Sequence, residues 1–481
     1  MEIIQIERIN ETYNKVHCEP SIAYELNEYF TFDVPGAKFM PAYINKFWDG
    51  KVRLFQVMNG YIYGGLNRYI EEFAKKRSYQ IEYLSDFTSD EFSIKEAKDF
   101  ISHIKTTFQP RDYQLEAFVH AVRERRSLLL SPTASGKSFI IYLITRYYNA
   151  RTLIIVPTTS LVSQLASDFA DYGFVSDRFV HRIYSGQDKH TDKPITISTW
   201  QSIYKMPKEY FQQFDVAIGD EAHLFKAKSL TTIMSNLSSC KYRFGFTGTL
   251  DGAQTNRLVL EGLFGPVRKV TTTSELIEQK HLAEFKIKAI VLSYPEDLRK
   301  IVSKMDYQTE LDYLVTLSER NRFISNLSLS LEGNTLLLFQ FVEKHGKILY
   351  DLISNQTDKP VFFVHGGVDG DERERIRNIV EKEKSSIIIA SYGTFSTGVN
   401  IRNLHNIIFA SPSKSRIRNL QSIGRGLRKS DTKTESVLYD IADDFTWKSK
   451  KNFTILHFME RIKIYNEEKF EYKLYNVNLK V

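Results

Sequence analysis

The run Leu128-Leu129-Leu130 passes directly into Ser131-Pro132-Thr133-Ala134-Ser135-Gly136-Lys137-Ser138. A short apolar strand, a tight loop and a helix opening at Gly-Lys-Ser is the setting of a phosphate-binding loop, where backbone N–H groups and a helix N-terminus cradle phosphates. In that reading Lys137 neutralises the β- and γ-phosphates and Ser138 offers its hydroxyl to Mg²⁺, with Thr133, Ser135 and Gly136 in the cradle. Ser131 stands where the full pattern has its first glycine. Gly-Lys-Ser/Thr alone arises by chance in roughly one chain of four this long. An ordinary loop with an exposed lysine looks the same, so the motif needs company.

It has company. Val216-Ala217-Ile218 leads through Gly219 into Asp220-Glu221-Ala222-His223. An apolar strand ending in two adjacent carboxylates puts both at its C-terminal edge, where α/β sheets bind ligands. Asp220 is then placed to hold Mg²⁺, and Glu221 to orient and help deprotonate an attacking water. A carboxylate pair can also simply cap the next helix, but the order of the two motifs, each after a strand, favours chemistry. A third element is Gln421-Ser422-Ile423-Gly424-Arg425-Gly426-Leu427-Arg428. Arg425 and Arg428 are three apart, so on a helix they face a similar direction. Two guanidinium groups aimed across a cleft can stabilise charge developing on a γ-phosphate; the commoner fate of such a pair is a solvated face.

The chain between these motifs is α/β. Short apolar runs at 128–130, 153–156, 195–198, 216–218 and 244–246 read as buried parallel strands, and the same grammar returns at 336–341, 361–364, 387–390, 407–410 and 437–441. Two successive units of similar size predict paired domains over 105–270 and 285–445. Residues 1–100 read as a small α+β domain, with a strand over 51–57, a turn at Asn59-Gly60, a buried Trp48 and a helical stretch over 91–107. The tail, 446–481, reads as helical. With 481 residues, several domains are expected. Two cysteines exclude a disulfide framework and a cysteine zinc site. No signal peptide is evident and no apolar run approaches the ~20 residues of a membrane span, so a cytoplasmic protein without membrane contact is expected. The net charge of +7 permits a polyanionic partner without demonstrating one.

Taken together the motifs resemble those of superfamily 2 helicases, over about residues 108 to 445. The loop at 131–138 and Asp220-Glu221-Ala222-His223 match motifs I and II, Thr247-Gly248-Thr249 motif III, and the segment from Gln421 to Arg428 motif VI. Arg111-Asp112-Tyr113-Gln114 resembles the adenine-reading segment, with Gln114 as the amide facing the base. Pro157 to Gln164 resembles motif Ia, Ile197 to Gln201 motif Ib, and Ala390 to Asn400 motif V. The resemblance implies two RecA-like domains, ATP and Mg²⁺ as cofactors, and nucleotide contacts from Gly398 and Gln421. Asn400 departs from the aspartate many relatives carry near the ribose.

The resemblance also implies a nucleic-acid strand crossing both RecA-like domains, with Thr158, Thr199, Ser391 and Thr394 as phosphate contacts that fix position without reading sequence. Thr and Ser after a strand are otherwise turn and cap formers. Residues 411–433 hold seven basic residues, Lys414, Arg416, Arg418, Lys429 and Lys433 beside the two arginines, against Asp431 alone. In the leading domain, Phe39-Met40-Pro41 and the segment Phe47 to Leu54 resemble UvsW-type recombination helicases of tailed phages. That family remodels branched DNA and unwinds DNA–RNA hybrids, which implies branched, duplex and single-stranded DNA as partners, a duplex-binding role for the leading domain and, for a phage protein, the host cytoplasm. Lys51 and Arg53 share one face of a strand there, as phosphate contacts or as a solvated edge. A duplex translocase that does not separate strands, an RNA helicase and an ATP-gated binding module remain as rivals. Polarity and oligomeric state have no sequence signal.

Overall fold

In the computed structural model the described residues are 2–480 apart from 185, 225–226, 251–253, 395–400, 402, 414, 416–422 and 425–434. The chain divides into two compact units, one of Met1–Ser131 with Gly136–Val270, the other of Thr271–Val481 with Pro132–Ser135.

The first unit begins with strands Ile3–Arg8 (β1), Tyr13–His17 (β2), Thr31–Asp33 (β3), Lys51–Arg53 (β4), Phe55–Gln56 (β5), Tyr61–Tyr63 (β6) and Gln80–Tyr83 (β7). Five form a sheet in the order β5-β6-β2-β1-β7, and β3 and β4 make a separate two-stranded ribbon. The strand expected over 51–57 is therefore split. Leu54, buried, interrupts it, so β4 pairs with β3 while β5 turns through Gly60, at φ +72°, to pair with β6. Trp48 is not in the core as expected: it is partly exposed in the loop between β3 and β4, its indole N–H donating to the Lys51 carbonyl at 2.7 Å. The expected helix forms over Ile94–His103, opened by a Ser93/Glu96 capping box. Its Ala97 and Ile101 pack into the core of the parallel-sheet domain that follows.

That domain is built on Arg126–Leu130 (β8), Thr152–Val156 (β9), Val180–Ile183 (β10), Ile195–Thr199 (β11), Val216–Gly219 (β12), Tyr242–Thr247 (β13) and Val267–Lys269 (β14). Every neighbouring pair in the order β10-β11-β9-β12-β13-β8-β14 is parallel. Both faces of such a sheet are covered, which is why its strands read as solid apolar runs. The helix Lys137–Tyr148, directly after the phosphate loop, buries Phe139 through Ile144 against β8, β9 and β12. The next, Thr159–Asp171, buries Val162, Leu165, Ala166 and Phe169 at helical spacing.

The small leading domain is fused to this one. Helix Gln254–Phe264 contributes Leu258 to the leading domain's core, while Leu260, Leu263 and Phe264 belong to the other. The approach is close: a Cβ on Gly65 would lie 1.9 Å from the Glu261 carbonyl oxygen, so only glycine fits. The Tyr69 hydroxyl donates to the Glu261 carboxylate at 3.1 Å.

The second unit repeats the plan with Glu284–Ser293 (β15), Thr335–Phe339 (β16), Val361–Val364 (β17), Ile387–Ser391 (β18), Asn406–Phe409 (β19), Glu435–Asp444 (β20) and Glu471–Asn478 (β21), ordered β17-β18-β16-β19-β20-β15-β21 and parallel throughout. The tail is helical over Phe453–Glu467, as expected, but then continues as β21, the edge strand beside β15. Thus both RecA-like domains are present, after a small α/β domain.

Candidate functional site

The first unit gathers its motifs at the C-terminal edge of the sheet because each sits where a strand ends. Lys137 opens its helix behind Gly136, which holds φ at +78°. Its ammonium bonds the Glu221 carboxylate and lies 3.9 Å from Asp220 Oδ1. All three side chains are largely withdrawn from solvent. Burial is the main reason that the Asp220 carboxyl is pushed up to about 6; Lys137 opposes the shift and Glu221 adds to it. The backbone at Glu221 takes the left-handed conformation, φ +50°, and its N–H donates to Asp220 Oδ1 at 2.9 Å. This bend turns the two successive carboxylates toward one lysine.

The third motif is tied to the second. His223 Nδ1 lies 2.5 Å from the Thr247 hydroxyl, which itself donates to the Thr249 carbonyl at 2.7 Å. His223 Nδ1 is also 3.6 Å from Glu221 Oε2. The chain from phosphate loop through Glu221 to the end of β13 is thus continuous in polar contacts.

Gln114 stands against the same loop. Its side-chain carbonyl accepts from Arg111 N–H at 2.9 Å and its amide donates to the Gly136 carbonyl at 3.3 Å. Ser135 donates to the Pro132 carbonyl at 2.7 Å, and Thr133 is partly exposed in the turn. The Ser138 and Tyr172 hydroxyls are 2.7 Å apart. Tyr172 carries no sequence signal: it is an isolated aromatic that the fold brings to the loop from beyond helix Thr159–Asp171. A carboxylate and a hydroxyl are oxygen donors of the kind Mg²⁺ takes. Asp220 and Ser138 are the candidates for that role. Among the described residues there is no cluster of three or more His, Cys, Asp or Glu that would serve a metal by itself.

Of the expected strand contacts, Thr158 caps helix Thr159–Asp171, accepting from Leu161 N–H at 3.4 Å, and stays partly exposed. Thr199 is 4% exposed, with its hydroxyl 2.8 Å from that of Ser202. At the end of β18, Ser391 donates to the Thr394 hydroxyl at 2.8 Å, and Thr394 is buried. Lys51 and Arg53 share the exposed face of β4, Lys51 being 3.9 Å from Asp33 and Arg53 paired with Asp49 at 2.5 Å. Gly398, Asn400, Gln421, Arg425 and Arg428, with Lys414, Arg416, Arg418, Lys429, Asp431 and Lys433, lie outside the described residues. No helix among the described residues is long and apolar enough to cross a membrane.

Comparison with known proteins agrees with this architecture. Residues 4–84 match the family described as DNA helicase UvsW, N-terminal; 75–252 match the type III restriction enzyme res subunit; and 319–430 match the helicase conserved C-terminal domain. The ATP-dependent DNA helicase uvsW of Enterobacteria phage T4 is 36% identical over 97% of both chains. The crystal structure of T4 UvsW aligns over 99% of this chain and 100% of its own, with a TM-score of 0.53 and 34% identity. A DNA 3'-5' translocase XPB2 of Sulfurisphaera tokodaii is 26% identical, over 70% of this chain and 82% of its own. Identity and coverage of this order place the chain in the UvsW family of ATP-dependent DNA helicases, within superfamily 2.

Proposed function

We propose that this helicase spends ATP to remodel branched DNA, regressing forks and migrating junctions, and to unwind DNA–RNA hybrids. The observation that carries the ATP side is the bond of Lys137 to Glu221 beside Asp220. The lysine neutralises the carboxylates. A γ-phosphate entering the loop competes for the ammonium, and Lys137 exchanges a carboxylate for phosphate oxygens. Glu221, relieved of that ion pair, is then free to accept a proton from the attacking water. Asp220 and Ser138 would hold Mg²⁺, which would supply charge neutralisation on the phosphates. Arg425 and Arg428, on the second RecA-like domain, contribute positive charge to the transferring phosphoryl group, with Gly398 and Gln421 as nucleotide contacts. Gln114 reads the adenine edge, and Thr133, Ser135 and Gly136 present the phosphate cradle.

On the nucleic-acid side, Thr158, Thr199, Ser391 and Thr394 are the phosphate contacts, through hydroxyls or backbone amides. Lys51 and Arg53 give the leading domain a phosphate-facing strand.

The test compares ATP hydrolysis stimulated by forks, four-way junctions, R-loops, linear duplex and structured RNA. Junction, fork and R-loop substrates should stimulate most. Equal stimulation by linear duplex, with no strand displaced, would make the chain a duplex translocase instead, and stimulation by RNA alone an RNA helicase.

A further inference from the structure

At the joint between the leading domain and the first parallel-sheet domain lies an open cavity of about 590 Å³. Arg126 at the start of β8 and Tyr242 at the start of β13 line it. It therefore lies at the N-terminal edge of the sheet, while the phosphate loop follows the opposite end of β8, roughly 13 Å along the strand.

Five cations, Arg8, Arg68, Arg125, Arg126 and Lys241, line the cavity beside three carboxylates, Glu11, Glu71 and Glu124. Several are committed to partners: Arg125 Nε donates to Asp90 at 2.7 Å, Arg68 pairs with Glu72 at 3.1 Å, and Glu71 takes the Tyr83 hydroxyl. Three cations have no carboxylate partner among the described residues. Arg8 gives Nη2 to the Asp86 carbonyl at 2.8 Å, with its guanidinium 4.7 Å from the centre of the Phe87 ring. Lys241 is exposed at the rim. Arg126 gives Nη2 to the Glu11 carbonyl at 2.7 Å, and its Nε is buried with no hydrogen-bond partner.

Burial, and after it the neighbouring Arg243, bring the Arg126 guanidinium down to about 9; Glu11 opposes this and Arg8 adds to it. Arg243 is fully buried and bonded only to carbonyls and a hydroxyl. Two guanidinium groups, Arg126 and Arg243, are thus withdrawn from water here without a carboxylate bonded to either. An unpaired buried cation is costly, and an anion seated in the cavity offsets its charge. Guanidinium groups and an ammonium that line one cavity from separate elements suit the several oxygens of a phosphate. The space is far larger than a monatomic ion requires and falls in the range of small-molecule sites.

We propose that this cavity is a second phosphate-binding site, separate from the ATP loop, in which Arg8, Arg126 and Lys241 hold the phosphate of a nucleotide or of a nucleic-acid backbone. Arg8 comes from the leading domain and the other two from the parallel-sheet domain, so an occupant bridges the two. The inference is independent of the ATP-site assignments.

Peptide-resolved hydrogen–deuterium exchange on the full chain tests it, with pyrophosphate, thymidine 5′-monophosphate and a short blunt duplex as probes. Segments around Arg8–Glu11 and Arg125–Arg126 should gain protection, and peptides covering 131–138 report the ATP loop separately. Protection by the small probes marks a free ligand as the source of the phosphate; protection by the duplex alone marks the backbone. Lys241→Glu should weaken this protection on the order of tenfold, leaving the response at 131–138 unchanged. Arg126→Gln should do the same, and the exposed Lys241 keeps the test readable if that variant fails to fold. No protection with any probe, or an undiminished response in Lys241→Glu, overturns the proposal.

Discussion

Arg243 Nη2 donates to the Thr12 hydroxyl at 3.0 Å, and that hydroxyl donates in turn to the Met234 carbonyl at 3.0 Å. The guanidinium also holds the carbonyls of Leu237 and Cys240. It therefore sits at the C-terminal end of helix Ala227–Asn236, where a cation suits the helix dipole. The leading domain, through Thr12, is seated on the helix that follows Asp220–His223. Thr12→Val should cost about 1–2 kcal/mol and Arg243→Met more, since several buried carbonyls lose their donor. Denaturant unfolding of the full chain measures both. A wild-type midpoint in Thr12→Val would mean the seat does not depend on this bond.

At the nucleotide site the two charge partners should fail differently. Lys137→Ala removes the phosphate grip, so nucleotide binding and hydrolysis should both drop. Glu221→Gln keeps the grip and loses the proton acceptor, so binding should persist while turnover falls at least about a hundredfold. Fluorescent-nucleotide titration beside steady-state ATP hydrolysis separates the two outcomes. Turnover near wild type in Glu221→Gln would remove it from the base role.

In the second unit, Arg461 embraces Asp440 through Nε and Nη2, at 2.8 to 3.0 Å, and the Tyr465 hydroxyl completes the carboxylate at 2.7 Å. Both charges are buried. Arg461→Met strands Asp440 in the core and should destabilise the unit by about 3–5 kcal/mol. Adding Asp440→Asn removes the stranded charge and should recover part of that loss. Thermal unfolding of the single and double variants provides the comparison; equal losses would show that packing, not charge, dominates.

His345 is fully buried between the Ser411 hydroxyl, 2.9 Å from Nδ1, and Asn321 Oδ1, 3.2 Å from Nε2. Burial, with the Arg320 cation second, holds the imidazole well below its usual titration range. The folded state thus keeps the ring neutral where the unfolded chain would protonate it. Stability is full above the ordinary histidine value of about 6.5 and is lost as pH falls below it, by about 1.4 kcal/mol per pH unit, until the folded ring itself titrates. Denaturant midpoints at pH 7.5 and 5.5 should differ less in His345→Gln than in the wild type. An unchanged difference would place the acid sensitivity elsewhere.

The candidate nucleotide edge was legible because phosphate-binding chemistry demands contiguous residues: a lysine behind a glycine at a helix start, two carboxylates at a strand end. The inner strands were legible as solid apolar runs. β15 was not, because Lys286 and Lys288 break its first half, which the structure leaves exposed on one face. β21 is an edge strand with most residues in solvent, so it has little apolar periodicity to detect. Tyr172 and Arg243 were invisible for another reason. Each is a single residue whose partner lies far away in sequence, as far as 231 positions for Arg243 and Thr12.

Helix Gln254–Phe264 serves two hydrophobic cores at once, with Leu258 facing one and Leu263 the other. The leading domain is consequently no detachable attachment. A fragment trimmed back to the nucleotide-binding portion would carry a bare greasy ridge and a carboxylate, Glu261, deprived of its tyrosine. Such a fragment should clump with itself, and a shuffled enzyme must exchange the head and the first ATPase lobe as one piece.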